Sequence, residues 1–373
     1  MDDLSKLKVA IVCDWLVGIG GAERVVLELH KMFPAAPIYT SQYAPSEIDW
    51  FKNADVRTTW LQHVPKALRK FLPVLRAWTF SRLDLSNYDL VVSATGAEAK
   101  AVKTGVNTTH ICYCFAPTHY YWSRYDAYIQ SPGFGHLDWL ARFGLKMLVG
   151  PMRRWDCRAA QRPDYLIGIS THIQKEIKKY YGRDSSLIFP PVDIERFKSE
   201  AKVARHGFVI AGRQTPYKRF DLAIAACTTL NLPLLVLGNG PEHQKLQRIA
   251  GPSVTFIDIP SDEEVATDLK KAEAFIFPGL DDFGIVAVEA MAAGTPVIAY
   301  KGGGALDYII PGQTGEFFDI ESVDGLKKAL ENFNSQTYKP TDLVNQAKKF
   351  SPHVFQENLR KIIEQSINQQ HAE

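Results

Sequence analysis

The chain has 373 residues, 46% of them hydrophobic and 23% charged, which is a globular composition with enough length for two domains of about 180 residues. A formal net charge of +2 argues against a protein held to nucleic acid by bulk charge. No apolar run approaches the roughly 20 residues that span a bilayer, and the opening Met-Asp-Asp-Leu-Ser-Lys is not a secretory leader. In chain order, residues 9–13 form an apolar strand ending at Asp14, and a helix follows from about residue 22 to 32. Strands at 89–93 and 165–169 come next, the latter feeding a helix over 171–181. Phe189-Pro-Pro-Val-Asp must be extended, since its two prolines forbid helix, and the charged stretch 197–205 reads as a linker. A second β/α series then restarts, with strands at 208–211, 234–237, 254–257, 274–277 and 296–299. Ser351-Pro352 marks a last helix start, running to about residue 369. Strands alternating with amphipathic helices mean parallel α/β sheets, divided here as 1–196, 206–350 and a terminal helical segment 351–373. Five scattered cysteines, odd in number and without zinc-like spacing, read as buried thiols in a reduced cytoplasm.

The most informative segment is Asp281-Asp-Phe-Gly-Ile-Val-Ala-Val-Glu289. Its pattern turns helical at Ile285, which puts Glu289 one turn inside the helix. Backbone N–H groups at Phe283, Gly284 and Ile285 then face whatever lies before the helix, a ready site for a diphosphate. Glu289 is placed to hydrogen-bond a sugar diol. Upstream, Gly212-Arg213-Gln-Thr-Pro-Tyr-Lys218 follows a strand closely enough for Arg213 and Lys218 to serve one anion. Gly20 and Gly21, after the first strand, give a loop that a ligand can approach closely. Gly18-Ile-Gly20 also begins a dinucleotide fingerprint, but the third glycine would fall at Glu23 and no acid ends the next strand.

These motifs, in their order along the chain, resemble the retaining family 4 glycosyltransferases, and among them bacterial mannosyltransferases of polysaccharide and O-antigen assembly. The resemblance runs from about residue 8 to 365. It implies the GT-B fold, two Rossmann-like parallel-sheet domains facing across a cleft, the first (1–196) binding the acceptor and the second (206–350) the nucleotide sugar, with the last helix crossing back to the first domain. It further implies transfer of a hexose, GDP-mannose being the expected donor, to a lipid-linked or polysaccharide acceptor. Arg213 and Lys218 would bind the donor diphosphate, with Gly20, Gly21, Phe283, Gly284, Ile285 and Glu289 completing the donor site. Asp281 and His119 are the candidate catalytic residues. No cofactor and no metal are expected, because no acidic pair or His cluster has ligand spacing and the two cations supply the charge.

Two positions depart from the family. The first acid of the signature is Asp281 rather than Glu, about 1.5 Å shorter, with Asp282 beside it as a substitute. In Ile111-Cys-Tyr-Cys-Phe115-Ala-Pro-Thr-His119, Phe115 stands where relatives carry His, and His119 where they carry Arg. A catalytically weak or inactive nucleotide-sugar-binding relative is therefore an alternative, as is a polysaccharide-binding module without nucleotide affinity. Backbone groups around residues 238–240 and 257–260 are candidates for the base. Finally, apolar and basic residues interleave at 59–85 (Trp60, Lys66, Arg69, Lys70, Phe71, Arg76, Trp78) and at 137–158, a pattern for either a core with a solvated face or contact with an anionic inner membrane surface.

Overall fold

The computed structural model describes residues 6–65, 72–130, 135, 138–197 and 204–372, in two compact units. Unit 1 comprises residues 1–189 and 355–373, and unit 2 is Pro190–Val354.

Unit 1 contains β1 (Val9–Cys13), α1 (Gly21–Met32), β2 (Ile38–Thr40), β3 (Val56–Thr58), α2 (Pro73–Phe80), β4 (Leu90–Thr95), β5 (Thr109–Cys114), α3 (Tyr125–Gln130), α4 (Asp138–Ala159), β6 (Tyr165–Gly168), α5 (Thr171–Tyr181) and β7 (Ser186–Leu187). Its strands form one parallel sheet ordered β3-β2-β1-β4-β5-β6-β7 among the described residues. β1, β4 and β5 are buried at every position, as strands covered on both faces must be, so they read as continuous runs rather than alternation. α5 begins where the Ser170 hydroxyl accepts from the Ile173 N–H at 3.1 Å.

Unit 2 contains β8 (Phe208–Ala211), α6 (Phe220–Leu230), β9 (Leu234–Leu237), α7 (His243–Ile249), β10 (Val254–Ile257), α8 (Asp262–Lys271), β11 (Ala274–Phe277), α9 (Ile285–Ala292), β12 (Val297–Tyr300), β13 (Gly315–Phe318), α10 (Val323–Glu331) and α11 (Pro340–Ala347). The sheet is again parallel, ordered β10-β9-β8-β11-β12-β13. α8 starts with a reciprocal cap: Ser261 accepts from the Glu264 N–H, and the Glu264 carboxylate accepts from the Ser261 N–H. The core is an apolar cluster of Phe208, Ile210, Phe220, Ile224, Val236, Ile276 and Ile298 between sheet and helices.

The last helix, α12 (Pro352–Ala372), belongs to unit 1 from Phe355 onward. There Phe355 packs edge-on to Tyr113 at 5.5 Å, and Gln356 donates to the Glu28 carboxylate at 2.8 Å. The division after residue 196 expected from sequence shifts to Phe189, because Pro190–Phe197 is tied into unit 2: the Val192 N–H donates to the Phe350 carbonyl at 2.8 Å, and Phe197 is fully buried. Of the expected linker, residues 198–203 lie outside the described residues, while Arg205 donates to the Gly294 carbonyl. Lys66, Arg69, Lys70, Phe71 and residue 137 of the basic–aromatic stretches also lie outside them.

Candidate functional site

In both sheets the strand order reverses beside the first strand of the series, between β1 and β4 in unit 1 and between β8 and β11 in unit 2. Connections leaving such a pair depart to opposite sides, which opens a crevice at the carboxyl ends where α/β proteins bind ligands. Nearly all the residues singled out from sequence fall at these two crevices.

In unit 2 the crevice is built from the loop after β8 and the loop after β11. The first carries Arg213, exposed, and Lys218, half-buried at the end of a short turn over Pro216–Lys218. The second passes directly beneath it at Gly279: a side-chain carbon there would fall 2.3 Å from the Tyr217 carbonyl oxygen and 2.7 Å from Lys218 Cα, so only glycine permits the approach. The Lys218 ammonium consequently lies 3.5 Å from the Asp281 carboxylate. Asp281 is held in turn, its carbonyl accepting from the Gly304 N–H at 2.9 Å and its carboxylate from the Asp282 N–H at 2.9 Å.

α9 begins immediately afterwards. Gly284 is its N-cap at φ +89°, a left-handed conformation, with no side chain capping the helix; a Cβ there would meet the Phe277 ring at 2.4 Å. The first-turn N–H groups of any helix lack intrahelical acceptors, and here the loop ahead of them carries Asp281, with the Lys218 ammonium beside it. Phe283 is buried, its ring packed against Tyr308 and Phe350 with centroids 5.5 and 5.6 Å away, so the ring anchors the loop. Glu289 is also buried, and Arg196 Nη2 approaches its carboxylate at 3.5 Å while Nη1 bonds Asp262 at 2.5 Å. Sequence reasoning missed Arg196, which is 93 positions away with only the run Asp193-Ile-Glu-Arg196 to signal it. Residues 238–240 pack against the β8 loop, with Gln214 donating to the Gly238 carbonyl at 2.6 Å and its N–H to the Asn239 carbonyl at 3.0 Å. The 257–260 segment contributes Asp258, 3.3 Å from His243.

The crevice of unit 1 has a different character. Asp14, at the end of β1, is buried and accepts from the Thr95 hydroxyl at 2.9 Å, the Gly96 N–H at 3.0 Å and the Ala99 N–H at 2.8 Å, clipping the β1 and β4 loops together. Gly20 caps α1 in extended conformation and Gly21 is its exposed first residue. Next to them is a cavity of about 240 Å³ whose walls include Trp15, Glu23, Phe115, His119, Tyr120 and Tyr128. Burial, with Asp14 adding repulsion, pushes the Glu23 carboxyl up to about 7. His119 Nδ1 lies 2.9 Å from the Ser123 hydroxyl. Below the cavity runs a buried ionic network that sequence did not reveal. Arg76 donates to Glu98 at 2.8 Å, Tyr120 donates to the same carboxylate, and Lys100 pairs with Asp156 at 2.8 Å. Asp156 also accepts from Trp122 and the Tyr181 hydroxyl, each at 2.8 Å. Arg76, read from sequence as part of a basic surface, is thus a buried ion-pair partner that stacks 4.8 Å over Trp15. The expected site residues therefore divide: Lys218 and Asp281 meet ahead of α9 in unit 2 with Arg213 exposed on the same loop as Lys218, whereas Gly20, Gly21, Phe115 and His119 group in unit 1.

On α4, Trp139, Leu140, Phe143, Met147 and Leu148 are 46–67% exposed at near-helical spacing, and Trp60 and Trp78 are each half exposed, their rings 6.5 Å apart. No helix among the described residues is long and apolar enough to cross a membrane.

Comparison with known proteins adds the following. Residues 191–350 match the family model for glycosyl transferases group 1, somewhat under half of the chain. The GDP-mannose-dependent alpha-(1-6)-phosphatidylinositol monomannoside mannosyltransferase of Mycolicibacterium smegmatis is 29% identical, over 46% of this chain and 53% of its own. A D-inositol 3-phosphate glycosyltransferase of Corynebacterium efficiens is 30% identical over 46% of each, and an uncharacterized glycosyltransferase of Methanocaldococcus jannaschii 28% identical over 52% of this chain and 56% of its own. The chain thus spans about half the length of the curated relatives it matches. Solved structures align over both units: sucrose-phosphate synthase from Thermosynechococcus elongatus (TM-score 0.71, 16% identity, 96% of this chain and 98% of that one) and Anabaena HepE in complex with UDP and glucose (TM-score 0.69, 17% identity, 96% and 99%). The fold is that of GT-B glycosyltransferases, two Rossmann-like parallel-sheet domains of seven and six strands.

Proposed function

We propose that this chain transfers a hexosyl group from a nucleoside diphosphate to a hydroxyl acceptor, with retention at the anomeric carbon. The observation that carries the reading is the meeting of Lys218, Asp281 and the amino end of α9 at the switch point of unit 2. Departure of a nucleoside diphosphate builds negative charge on its phosphate oxygens, and fixed cations and helix N–H groups aimed there are the largest catalytic contribution such a site can make. Lys218, at present balanced by Asp281, would transfer its charge to the phosphate. Arg213, exposed and without a side-chain partner among the described residues, would close on it as a fork. Asp281 is then released to a sugar hydroxyl, and Glu289, oriented by Arg196, to the ribose diol. No metal is needed in this scheme, because the protein supplies the neutralising charge. The departing phosphate takes the acceptor's proton on the face it leaves.

Mannose from GDP-mannose is the favoured donor, on the strength of the mannosyltransferase likeness, and a lipid-linked or polysaccharide hydroxyl the favoured acceptor. Incubation with GDP-mannose, with UDP-glucose as the comparison, should release nucleotide slowly without acceptor and without loss of rate in excess EDTA. A chain that releases neither nucleotide with any acceptor, or that stops in EDTA, would sink this mechanism.

The exposed stripe of α4 favours an acceptor presented at a membrane. Its apolar residues are flanked by Arg142 and Lys146, the arrangement of a helix lying in the headgroup region of an anionic inner-face bilayer. Flotation with vesicles containing phosphatidylglycerol should carry the protein at low salt, and Phe143→Glu with Met147→Glu should abolish it. Equal flotation of the double variant would exclude α4 as the contact.

A further inference from the structure

Among the described residues two that are not glycine have left-handed backbone, Arg219 at φ +53° and Asn231 at φ +51°. Asn231 closes α6, where asparagine readily takes that conformation, but Arg219 opens the helix with a side chain that the left-handed region disfavours. We propose that Arg219 is a positioning residue for Lys218: its left-handed backbone, clamped by Asp221 and Glu321, aims the Lys218 ammonium at the donor's diphosphate. The proposal rests on the glycosyl-transfer reading and deepens it, naming a residue that acts through the cation rather than on the substrate.

Three observations support it. Arg219 is the single joint between the short turn Pro216–Lys218 and α6, so its two dihedral angles set the direction in which Lys218 departs from the helix. A right-handed residue there would let the turn run on into α6 and carry Lys218 off its present line. The backbone at Lys218 also has no slack. Gly279 passes so close that a Cβ on it would lie 2.7 Å from Lys218 Cα, and the ammonium stands 3.5 Å from Asp281. Any rotation at Arg219 therefore breaks this contact. Finally, the Arg219 guanidinium is committed elsewhere. Its Nε and Nη2 each donate to the Asp221 carboxylate at 3.1 Å, and Nη1 lies 3.2 Å from Glu321 Oε1. This fork ties residue 219 to the first turn of α6 and to the segment after β13. A side chain held in this way offsets the strain of its own backbone.

A purely structural role at the start of α6 is the competing explanation, and substitutions chosen for backbone tolerance separate the two. Glycine and asparagine accept the left-handed region, alanine accepts it poorly and valine least. Calorimetric titration of the full chain with inorganic pyrophosphate reads the aim of Lys218 without requiring turnover. Arg219→Gly and Arg219→Asn should bind it nearly as the unaltered chain does, while Arg219→Ala and Arg219→Val should lose affinity on the order of tenfold. Arg219→Ala carries the comparison should Arg219→Val fail to fold. In a Lys218→Ala background the four substitutions should no longer differ. Asp221→Asn with Glu321→Gln should weaken binding in the otherwise unaltered chain and have no effect in Arg219→Gly. Turnover of GDP-mannose should follow the same order, kcat falling further than KM rises, because the charge that Lys218 meets is greatest in the transition state. Absence of pyrophosphate binding in the unaltered chain would overturn the proposal, as would equal affinity across the series or an order that persists in Lys218→Ala. An equal loss in all four variants, Arg219→Gly included, would give the role to the guanidinium itself and overturn it too. Pyrophosphate binding that follows the order while no nucleotide sugar is turned over would sink the transferase reading and leave the aim of Lys218 standing.

Discussion

The two units share a frame and differ in what they hang on it. Each is a parallel sheet whose order reverses beside its first strand, and each places its chemistry at the carboxyl ends of the two central strands. In unit 2 the crevice pairs cations with acids and leans on backbone: Lys218 beside Asp281, an exposed Arg213, a helix end and loops in contact through Gly279. In unit 1 it is acidic and dominated by side chains: Asp14, Glu23, four aromatic rings and an ionic network beneath. Topology thus locates a site and leaves its sign to the loops.

That contrast can be broken from either side. The largest expected effect is in unit 1. Lys100→Met strands the buried Asp156 carboxylate without its cation and should cost on the order of 3–5 kcal/mol. Urea unfolding followed by tryptophan fluorescence should register the loss, whereas the nucleotide affinity proposed for unit 2 should survive under native conditions. A coincident loss of both would mean the two sites are not independent. Next come Lys218→Ala and Arg213→Ala, each expected to lower turnover roughly 100- to 1000-fold, or about 3–4 kcal/mol in the transition state, with an unchanged calorimetric melt. Near-normal rates in both would remove the basis for the cationic crevice. Gly279→Ala, which forces a methyl group against the Tyr217 carbonyl, should cost about 1–3 kcal/mol locally and weaken GDP binding.

The smallest effects are in pH dependence, and their signs differ. Glu23 has a folded pKa raised by burial, so the native state holds its proton more tightly than the unfolded chain; stability falls as pH rises from about 4.5 to about 7. His110 is buried with its Nε2 2.9 Å from the Ser93 hydroxyl, and burial lowers its pKa to about 3, so stability falls as pH drops below about 6.5. Calorimetric melting of Glu23→Gln should therefore exceed that of the unaltered chain at pH 8, by about 1–2 kcal/mol, and match it near pH 4.5. His110→Gln should show its advantage only on the acid side. Parallel curves for all three proteins would show that neither group is desolvated as described.

How much of this was readable beforehand follows the locality of each signal. The strands β8 to β12 are short apolar runs bounded by turn residues, and sequence located each to within a residue. β2 and β3 are three residues long, too short to display any pattern, and β5 mixes Thr109 and His110 into a fully buried strand, so it read as a motif rather than an element. At the site, Arg213, Lys218 and the 281–289 segment were legible because each is a contiguous motif. Partners that meet only on folding were not: Arg196 with Glu289, Asp14 with the β4 loop, and the Lys100–Asp156 pair are separated by tens of residues and carry no local signature. Buried charge was consequently misread, Arg76 most clearly, since composition cannot tell a solvated arginine from one facing Glu98.

The return of residues 355–373 to unit 1 has a consequence for biosynthesis. Unit 2 is contiguous and ends at Val354, so a chain that stops there contains all of it, whereas unit 1 is complete only once residues 355–373 have been added. Unit 1 must wait with the surface around Tyr113 uncovered until Phe355 and the turns after it arrive. Without them it is the half exposed to proteases and chaperones, and chains truncated after Val354 should be digested there while unit 2 stays intact.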